Sequence, residues 1–154
     1  MQASKDIPPP VLGPLQAAQL DLNDYRLLAD FRYLIRRFLE FSQIAARRAG
    51  LTPRQHQALL VIRGFTAEPG PTVGELAERL CIRHHSAVEL VDRLVAAGLC
   101  IRAHDDADRR RVILRLTEAA DDRLAGLAVV HLAELRAVRP ALLQILERLD
   151  GSLC

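Results

Sequence analysis

The segment from Thr72 to Thr117 constrains the fold of this chain most, because two kinds of periodicity follow one another within it. Leu76 and Leu80 lie one helical turn apart, so they share one helix face. Further on, the stretch VILRL repeats apolar residues with a period of two, which is typical of a strand. The order of these patterns predicts two short helices, then a strand, an arginine-rich tip and a second strand.

Both predicted helices carry signals for their ends. Thr72 and Glu75 form a capping box, in which each side chain accepts a hydrogen bond from the backbone N–H of the other residue. The second helix is predicted from about Arg83 to Ala97. Gly98 ends it, because glycine readily adopts the left-handed conformation of a residue just past a helix. These signals predict a helix-turn-helix with a Leu-Cys-Ile-Arg step between its helices.

The second helix separates its side chains into two faces at about 100° per residue. We expect the core face to consist of Ala87, Val88, Val91, Leu94 and Val95. The opposite face consists of His85, Ser86, Glu89, Asp92 and Arg93. His84 is expected closer to the core side, where it packs or touches a phosphate. Short polar groups near the N-terminus of such a helix are typical of one that reads bases in a major groove.

The hairpin that follows is predicted to have strands over Leu99–Arg102 and Val112–Leu116. Its tip ends in the arginine run Arg109–Arg111, and a ribbon with a basic tip directly after a helix-turn-helix is typical of a wing. Such arginines suit phosphates or a narrow minor groove. The alternative is a solvated turn whose arginines are neutralised by Asp105, Asp106 and Asp108.

The chain resembles the winged helix-turn-helix of the multiple-antibiotic-resistance regulator (MarR) family in three motifs, GELAERL, AVELVDRLVAAGL and DADRRRVILRLT. The likeness extends from about Asp24 to the C-terminus. It implies a dimeric DNA-binding regulator of the kind often released from DNA by a small ligand. It also implies that Asp108 braces the wing by pairing with Arg110. Arg83 departs from the family pattern, which usually has a small polar residue just before the recognition helix.

We predict one domain over residues 1–154, mainly α with a small β-hairpin wing. Its expected parts are a proline-rich arm at 1–20, dimerisation helices at 21–49 and 118–150, and a winged helix-turn-helix at 52–117. Pro140 is expected to interrupt the last helix. Both flanking helices carry more apolar surface than a small domain covers, which indicates a two-fold homodimer. A large contact within one chain is the alternative.

The function predicted from these features is sequence-specific binding of double-stranded DNA at an inverted-repeat operator, as a repressor. The net charge is only +2, so positive charge has to cluster locally. We expect His85 and Ser86 to read bases, and the arginines to meet phosphates or the minor groove. The predicted DNA contacts are Thr72, Arg83, His84, His85, Ser86, Glu89, Arg93, Arg109, Arg110 and Arg111. A protein-interaction module that binds no DNA is the alternative, although it needs no basic wing.

A small-molecule effector is the second predicted partner. The resemblance implies that an aromatic acid or another apolar anion binds between the first long helix and the winged part. Side chains suited to a carboxylate or a ring at that place are Phe31, Arg32, Arg36, Phe38, Phe41 and His56. The alternative is that these phenylalanines are interface core and that the arginines are surface charges.

Other functional classes lack their sequence signals. The chain has no Gly-rich phosphate loop, nucleophile elbow or paired-carboxylate motif, so we expect neither an enzyme nor a cofactor. Cys81, His84, His85 and Glu89 lie close in sequence. The two histidines point to different sides of the helix, however, so no metal site is predicted.

The cysteines and the chain's hydropathy bear on its compartment. Cys81, Cys100 and Cys154 form no CxxC motif, and we expect reduced, mostly packed thiols. A thiol-redox-responsive regulator acting through Cys81 is the alternative, since the N-terminus of the next helix lowers a thiol pKa. No apolar run is long enough to span a membrane and no signal-peptide core is present, so a cytoplasmic location is expected.

Overall fold

A computed structural model describes residues 20–65 and 69–151, with side chains up to Leu149 apart from that gap. The helices are α1 (Leu22–Arg48), α2 (Pro53–Arg63), α3 (Val73–Arg79), α4 (His84–Ala96) and α5 (Glu118–Gly151). The strands are β1 (Cys100–His104) and β2 (Val112–Leu116). The predicted class, mainly helical with a small hairpin, is confirmed. The predicted proline-rich arm lies outside the described residues except for Leu20.

The hairpin is longer on its first side than predicted. β1 and β2 pair antiparallel in a register that runs from Cys100 opposite Leu116 to His104 opposite Val112. The first strand was predicted over Leu99–Arg102 but spans Cys100–His104. The pairing continues two residues further, since β2 offers a partner for each position up to His104. The wing therefore has a short tip on a regular ribbon.

Side-chain caps start α2, α3 and α5. Thr52 and Gln55 form a capping box at α2, and Thr72 and Glu75 form the predicted one at α3. At α5 the hydroxyl of Thr117 accepts a hydrogen bond from the Ala120 N–H at 3.2 Å. These local bonds satisfy backbone donors that have no partner within the helix. They also set the residues at which α3 and α5 begin.

The prediction that Pro140 interrupts the last helix is wrong. α5 is continuous from Glu118 to Gly151, with Pro140 inside it. A proline removes one N–H donor and disturbs the preceding turn, but it leaves the other backbone bonds of a long helix in place. The residues directly after it, Ala141, Leu142 and Leu143, are strong helix formers.

Three helices end in the same hydrogen-bonded motif, but only two of them use glycine for it. In this Schellman motif the first residue past the cap has a positive φ. At the ends of α1 and α4 that residue is Gly50 (φ 74°) or Gly98 (φ 67°). At the end of α3 it is Cys81 (φ 53°), whose N–H donates to the Glu78 carbonyl while the Ile82 N–H donates to the Ala77 carbonyl. The turn of the helix-turn-helix is thus made by a non-glycine residue in a left-handed conformation.

The backbone contacts divide the chain into two compact units. Residues 41–133 contain the end of α1, all of α2 to α4, the hairpin and the first half of α5. Their core is aliphatic, with Leu59, Leu76, Leu94 and Leu114 among the largest fully buried side chains. Leu114 also joins β2 to the segment before α3, because its N–H donates to the Pro71 carbonyl at 2.8 Å.

The second unit combines residues up to Glu40 with residues from Glu134 onward. Asp21 caps α1 by accepting hydrogen bonds from the Asn23 and Asp24 N–H groups. Asp30 on α1 and Arg148 on α5 form an ion pair at 2.8 Å. Large apolar side chains of this unit are exposed, namely Leu22, Tyr25, Leu28, Phe31, Tyr33, Ile35, Leu39, Leu135, Leu143, Leu146 and Leu149.

We predict that Cys81→Gly raises the free energy of unfolding by roughly 0.5–1 kcal/mol, because a left-handed backbone disfavours a Cβ atom. Gly98→Ala is the matched control. A Cβ at Gly98 meets no atom within 4 Å, so its effect is conformational, and we expect a loss of about 1 kcal/mol. Urea unfolding followed by circular dichroism measures both. Destabilisation by Cys81→Gly would show that the thiol makes a stronger contact than the backbone strain it brings.

Candidate nucleic-acid interface

The N-terminal turn of α4 is open to solvent. Arg83 occupies the N-cap position, and its side chain makes no capping hydrogen bond. His84 and His85 are exposed and Ser86 is half-buried. The expectation that His84 turns toward the core is wrong, because the core side of the helix begins at Ala87. The exposed side chains of Arg83, His84 and His85 therefore lie at the same helix end as backbone N–H groups that no side chain caps.

The buried face of α4 is narrower than predicted and rotated slightly. Ala87, Leu90, Val91 and Leu94 are buried, and three of these have no exposed surface at all. Val95 was assigned to the core but is 37% exposed, whereas Leu90 was not assigned and is buried. Packing against the neighbouring elements therefore buries the side chains at positions 87, 90, 91 and 94. The side chains of His85, Glu89, Asp92 and Arg93 remain exposed to solvent.

Charged side chains on the outer face of α4 are engaged with one another and with the wing. Arg93 pairs with Glu89 at 3.2 Å, and both are largely exposed. The Asp92 carboxylate forms an ion pair with the Arg102 guanidinium at 2.7 Å, and this pair links α4 to β1. Exposed pairs of this kind add little stability. Their geometric effect is that β1 is held beside the outer face of α4.

The wing tip is shaped by two aspartates that bind the backbone. The carboxylate of Asp105 accepts the Ala107 N–H at 2.9 Å, and that of Asp108 accepts the Arg110 N–H at 3.0 Å. Both hydrogen bonds form Asx turns, in which the aspartate side chain takes the place of a backbone carbonyl as the acceptor. The expected pairing of the Asp108 carboxylate with the Arg110 side chain is not found in the described residues. Asp108 instead shapes the wing through the main chain.

The three tip arginines differ in their surroundings. The Arg111 guanidinium lies 3.2 Å from Glu75 and 3.6 Å from Asp105, and its side chain is only 32% exposed. Arg109 and Arg110 are exposed, and no ion pair in the described part of the chain involves them. The neutralisation by aspartates considered from the sequence therefore applies to Arg111 alone. Two cationic side chains remain at the tip.

Glu75 connects the wing to the start of α3. One of its carboxylate oxygens accepts hydrogen bonds from the Thr72 N–H at 2.7 Å and the Thr72 hydroxyl at 2.9 Å. The Thr72 backbone N–H, the Thr72 hydroxyl and the Arg111 guanidinium lower the pKa of Glu75. Thr72, predicted as a DNA contact, is half-buried in this network. The sequence showed the capping box but not the arginine that joins it.

The residues predicted to bind an effector fall in the two different units. Phe31, Arg32 and Arg36 are exposed on α1, and Phe38 is half-buried there. Phe41 and His56 belong to the unit of residues 41–133, where His56 is only 1% exposed. In that unit an open groove of about 480 Å³ runs along α2 and α5 and includes neither of these two side chains. Effector binding at the six residues stays a prediction.

A buried pair of imidazoles is the feature that sequence reasoning missed. The His56 ring on α2 packs against the His131 ring on α5, with 4.6 Å between centroids and a tilt of 40° between the ring planes. His131 also interacts with the Leu127 carbonyl at 2.7 Å and the Ser42 hydroxyl at 2.9 Å. The Nε2 atom of His56 has no hydrogen-bond partner among the described residues. No local pattern signals this pair, because the two residues lie far apart in sequence.

Burial lowers the pKa of His56, and the neighbouring His131 lowers it further. The folded protein therefore keeps His56 neutral at a pH where the unfolded chain binds the proton. We predict that the free energy of unfolding falls as the pH falls below about 6.5, the unperturbed value. The slope per proton is at most about 1.4 kcal/mol per pH unit.

Chemical unfolding of the parent and of His56→Phe between pH 5 and 8 measures this effect. The phenylalanine ring keeps the packing but does not titrate, so the slope should flatten. Equal slopes in the parent and in His56→Phe would assign the pH dependence to other groups.

The sequence predicts reduced, mostly packed cysteines, no metal site and no membrane-spanning segment. Cys100 is buried, which raises the pKa of its thiol, whereas Cys81 is exposed rather than packed. Cys154 lies outside the described residues. Within residues 20–65 and 69–151, no three His, Cys, Asp or Glu side chains group as metal ligands do. No described helix is both long and apolar enough to cross a membrane.

These elements define a class of protein. A helix-turn-helix whose second helix shows a polar outer face, followed by a hairpin with a basic tip, is a winged helix-turn-helix. A MarR family model matches residues 49–111. Residues 49–111 thus carry the MarR family domain that the sequence motifs predicted.

Individual relatives agree with this assignment. The chain is 39% identical over 85 residues to the uncharacterized HTH-type transcriptional regulator YcgE of Bacillus subtilis, covering 54% of this chain and 53% of YcgE. The fold resembles AbsC, a MarR family transcriptional regulator from Streptomyces coelicolor, with a TM-score of 0.68, 21% identity and coverage of 87% and 91% of the two chains. It also resembles the transcriptional repressor CouR bound to a 23-mer DNA duplex, with a TM-score of 0.57, 29% identity and coverage of 90% and 98%. The chain spans about half the length of the curated relatives it matches.

Proposed function

We propose that this protein binds double-stranded DNA in a sequence-specific manner and acts as a transcriptional repressor. The observation that carries the proposal is the exposed N-terminal turn of α4, with Arg83, His85 and Ser86, on a helix whose other face is buried. An α-helix fits the major groove, and short polar side chains at its N-terminus reach base edges. Uncapped N–H groups at the same place suit a phosphate. CouR, a repressor in complex with DNA, shares this fold.

In this proposal the wing contacts DNA beside the recognition helix. The exposed Arg109 and Arg110 side chains have no carboxylate partner in the described residues, so their charge is available to phosphates or a narrow minor groove. Among the residues of α4, Glu89 and Arg93 neutralise each other at 3.2 Å in the free protein. A base or phosphate that engages either residue has to compete with this pair.

The functional unit in this proposal is a homodimer. The exposed leucines and tyrosines of the unit formed by the start of α1 and the end of α5 are an apolar surface that a second copy would cover. A two-fold dimer places two identical reading helices side by side. The DNA site is then an inverted repeat, with half-site centres about one helical turn, roughly 10 base pairs, apart.

Control by a small apolar anion is the finer part of the proposal. Arg32 and Arg36 lie one helical turn apart on α1 with Phe31 beside them, and all three are exposed. Guanidinium groups bind carboxylates and the phenylalanine offers a ring contact. A thermal-shift screen of aromatic acids, repeated on Arg36→Ala, tests the idea, which fails if no compound stabilises the parent protein.

Thiol control is the alternative form of regulation. Cys81 is exposed and occupies the left-handed turn between α3 and α4. A modified thiol at that turn would change the approach of α4 to DNA. Loss of DNA binding on mild oxidation of the parent, but not of Cys81→Ser, would favour this alternative over the anion.

We predict that His85→Ala and Ser86→Ala each relax the base preference at the half-sites and weaken binding by about 1–3 kcal/mol. The reason is that both side chains stand at the exposed start of α4. Selection of binding sites from a random duplex pool, for the parent and both variants, measures this change. Arg123→Ala, on the exposed surface of α5, is the matched control and should select the parental motif.

The same selection tests the proposal as a whole. The parent protein should enrich a two-fold symmetric motif, because a dimer reads both half-sites. Absence of any enriched motif would contradict sequence-specific binding. An enriched motif that is identical for the parent and for both variants would remove His85 and Ser86 as readers.

A further inference from the structure

Arg111 stands apart from the two arginines that precede it, although the sequence presents all three as one basic run. Its guanidinium is 3.2 Å from both carboxylate oxygens of Glu75 and 3.6 Å from the carboxylate of Asp105. Glu75 belongs to α3, whereas Asp105 and Arg111 flank the wing tip. One cation thus joins the tip of the hairpin to the beginning of the helix-turn-helix.

The charge around Arg111 is already compensated. One guanidinium faces two carboxylates, and the Asp105 side chain is only 8% exposed. A phosphate that approached Arg111 would meet this excess of negative charge. At Arg109 and Arg110 no such carboxylate stands in the way among the described residues. The charge of Arg111 is therefore compensated within the protein, whereas the charges of Arg109 and Arg110 face solvent.

Additional bonds tie the same place together. The Asp105 N–H donates to the Arg111 carbonyl at 3.0 Å, which closes the tip between these two residues. The Leu114 N–H donates to the Pro71 carbonyl at 2.8 Å, just before Thr72 and Glu75 begin α3. Arg102 reaches Asp92 of α4 from β1. The hairpin is thereby anchored to both helices of the helix-turn-helix.

We infer that Arg111, Glu75 and Asp105 are positioning residues that fix the wing tip against α3, and that Arg111 does not contact DNA. This inference rests on the proposed function for its effect on DNA. Its structural part, a wing tip held through Glu75, concerns the free protein. A fixed wing holds Arg109 and Arg110 at a set distance from the outer face of α4. DNA binding then does not have to bear the entropic cost of ordering the tip.

The variant Glu75→Gln separates positioning from direct contact. Glutamine keeps the capping box with Thr72 but removes the charge that holds Arg111. If Arg111 is a positioning residue, Glu75→Gln weakens DNA binding. If Arg111 contacts a phosphate, loss of the competing carboxylate strengthens it. Glu78→Gln is the matched control, because it removes the same charge from an exposed position on α3.

DNA affinity across a salt series gives the second readout. We expect about five- to tenfold weaker binding for Glu75→Gln, for Arg111→Ala and for the double variant alike, because both changes break one interaction. The salt dependence of Arg111→Ala should stay that of the parent. Arg110→Ala, by contrast, should reduce the log–log slope by about 0.9 for the phosphate contact it loses. Additive losses, or a slope reduced by Arg111→Ala, would overturn the inference.

Hydrogen exchange of the free protein keeps the structural part testable without DNA. The amides of Asp105 and Arg111, which close the tip, should exchange faster in Glu75→Gln than in the parent, and Glu78→Gln should match the parent. If the parent binds no DNA but the tip amides respond, the proposed function fails and the anchoring stands. If the parent binds DNA and the tip amides do not respond, the anchoring fails.

Discussion

The burial of one narrow face of α4 is the constraint on which the rest of the interface depends. Ala87, Val91 and Leu94 have no exposed surface, and Leu90 is nearly buried beside them. Burying aliphatic side chains is worth about 1.5–3 kcal/mol each, so turning the helix by one position would lose several of these contacts. The packing therefore decides which side chains face outward. His85, Ser86 and Glu89 are presented because their neighbours are held inside.

The wing depends on the same core through different chemistry. Ile113 and Leu114 of β2 are buried, so the ribbon behind the tip is fixed by apolar packing. The tip is too polar to be fixed by apolar packing. Hydrogen bonds from the backbone to Asp105 and Asp108 and the ion pairs of Arg111 fix it instead. A partly buried guanidinium between two carboxylates orients the tip more than it stabilises the fold. The outcome is a basic tip whose position is linked to the start of α3.

Local signals predicted most of the elements. The capping box at Thr72 requires only residues three positions apart, and the helix end at Gly98 requires only one residue with a positive φ. The predicted interruption at Pro140 was wrong, because a proline disturbs the hydrogen bonds of one turn and α5 contains many more turns. Spacing of this kind is read directly from a sequence.

Long-range contacts account for what the sequence did not show. Val95 and Leu90 are both aliphatic, and only the neighbouring elements decide which one is buried. Arg109, Arg110 and Arg111 are alike in sequence until Glu75 is known to face one of them. The contact between His56 and His131 gave no signal in the sequence, because the two residues lie on different helices. In each case the deciding neighbour lies elsewhere in the chain.

In the proposed function, the outer face of α4 and the wing tip form a single DNA-reading surface, which a two-fold axis duplicates. Hydroxyl-radical footprinting of the dimer on its selected duplex tests this most directly, because it maps the protected backbone without assuming which residues touch it. The account predicts two symmetric sets of protected sugars, with centres separated by about one helical turn, roughly 10 base pairs. A single asymmetric footprint, or protection spread evenly along any duplex, would contradict it.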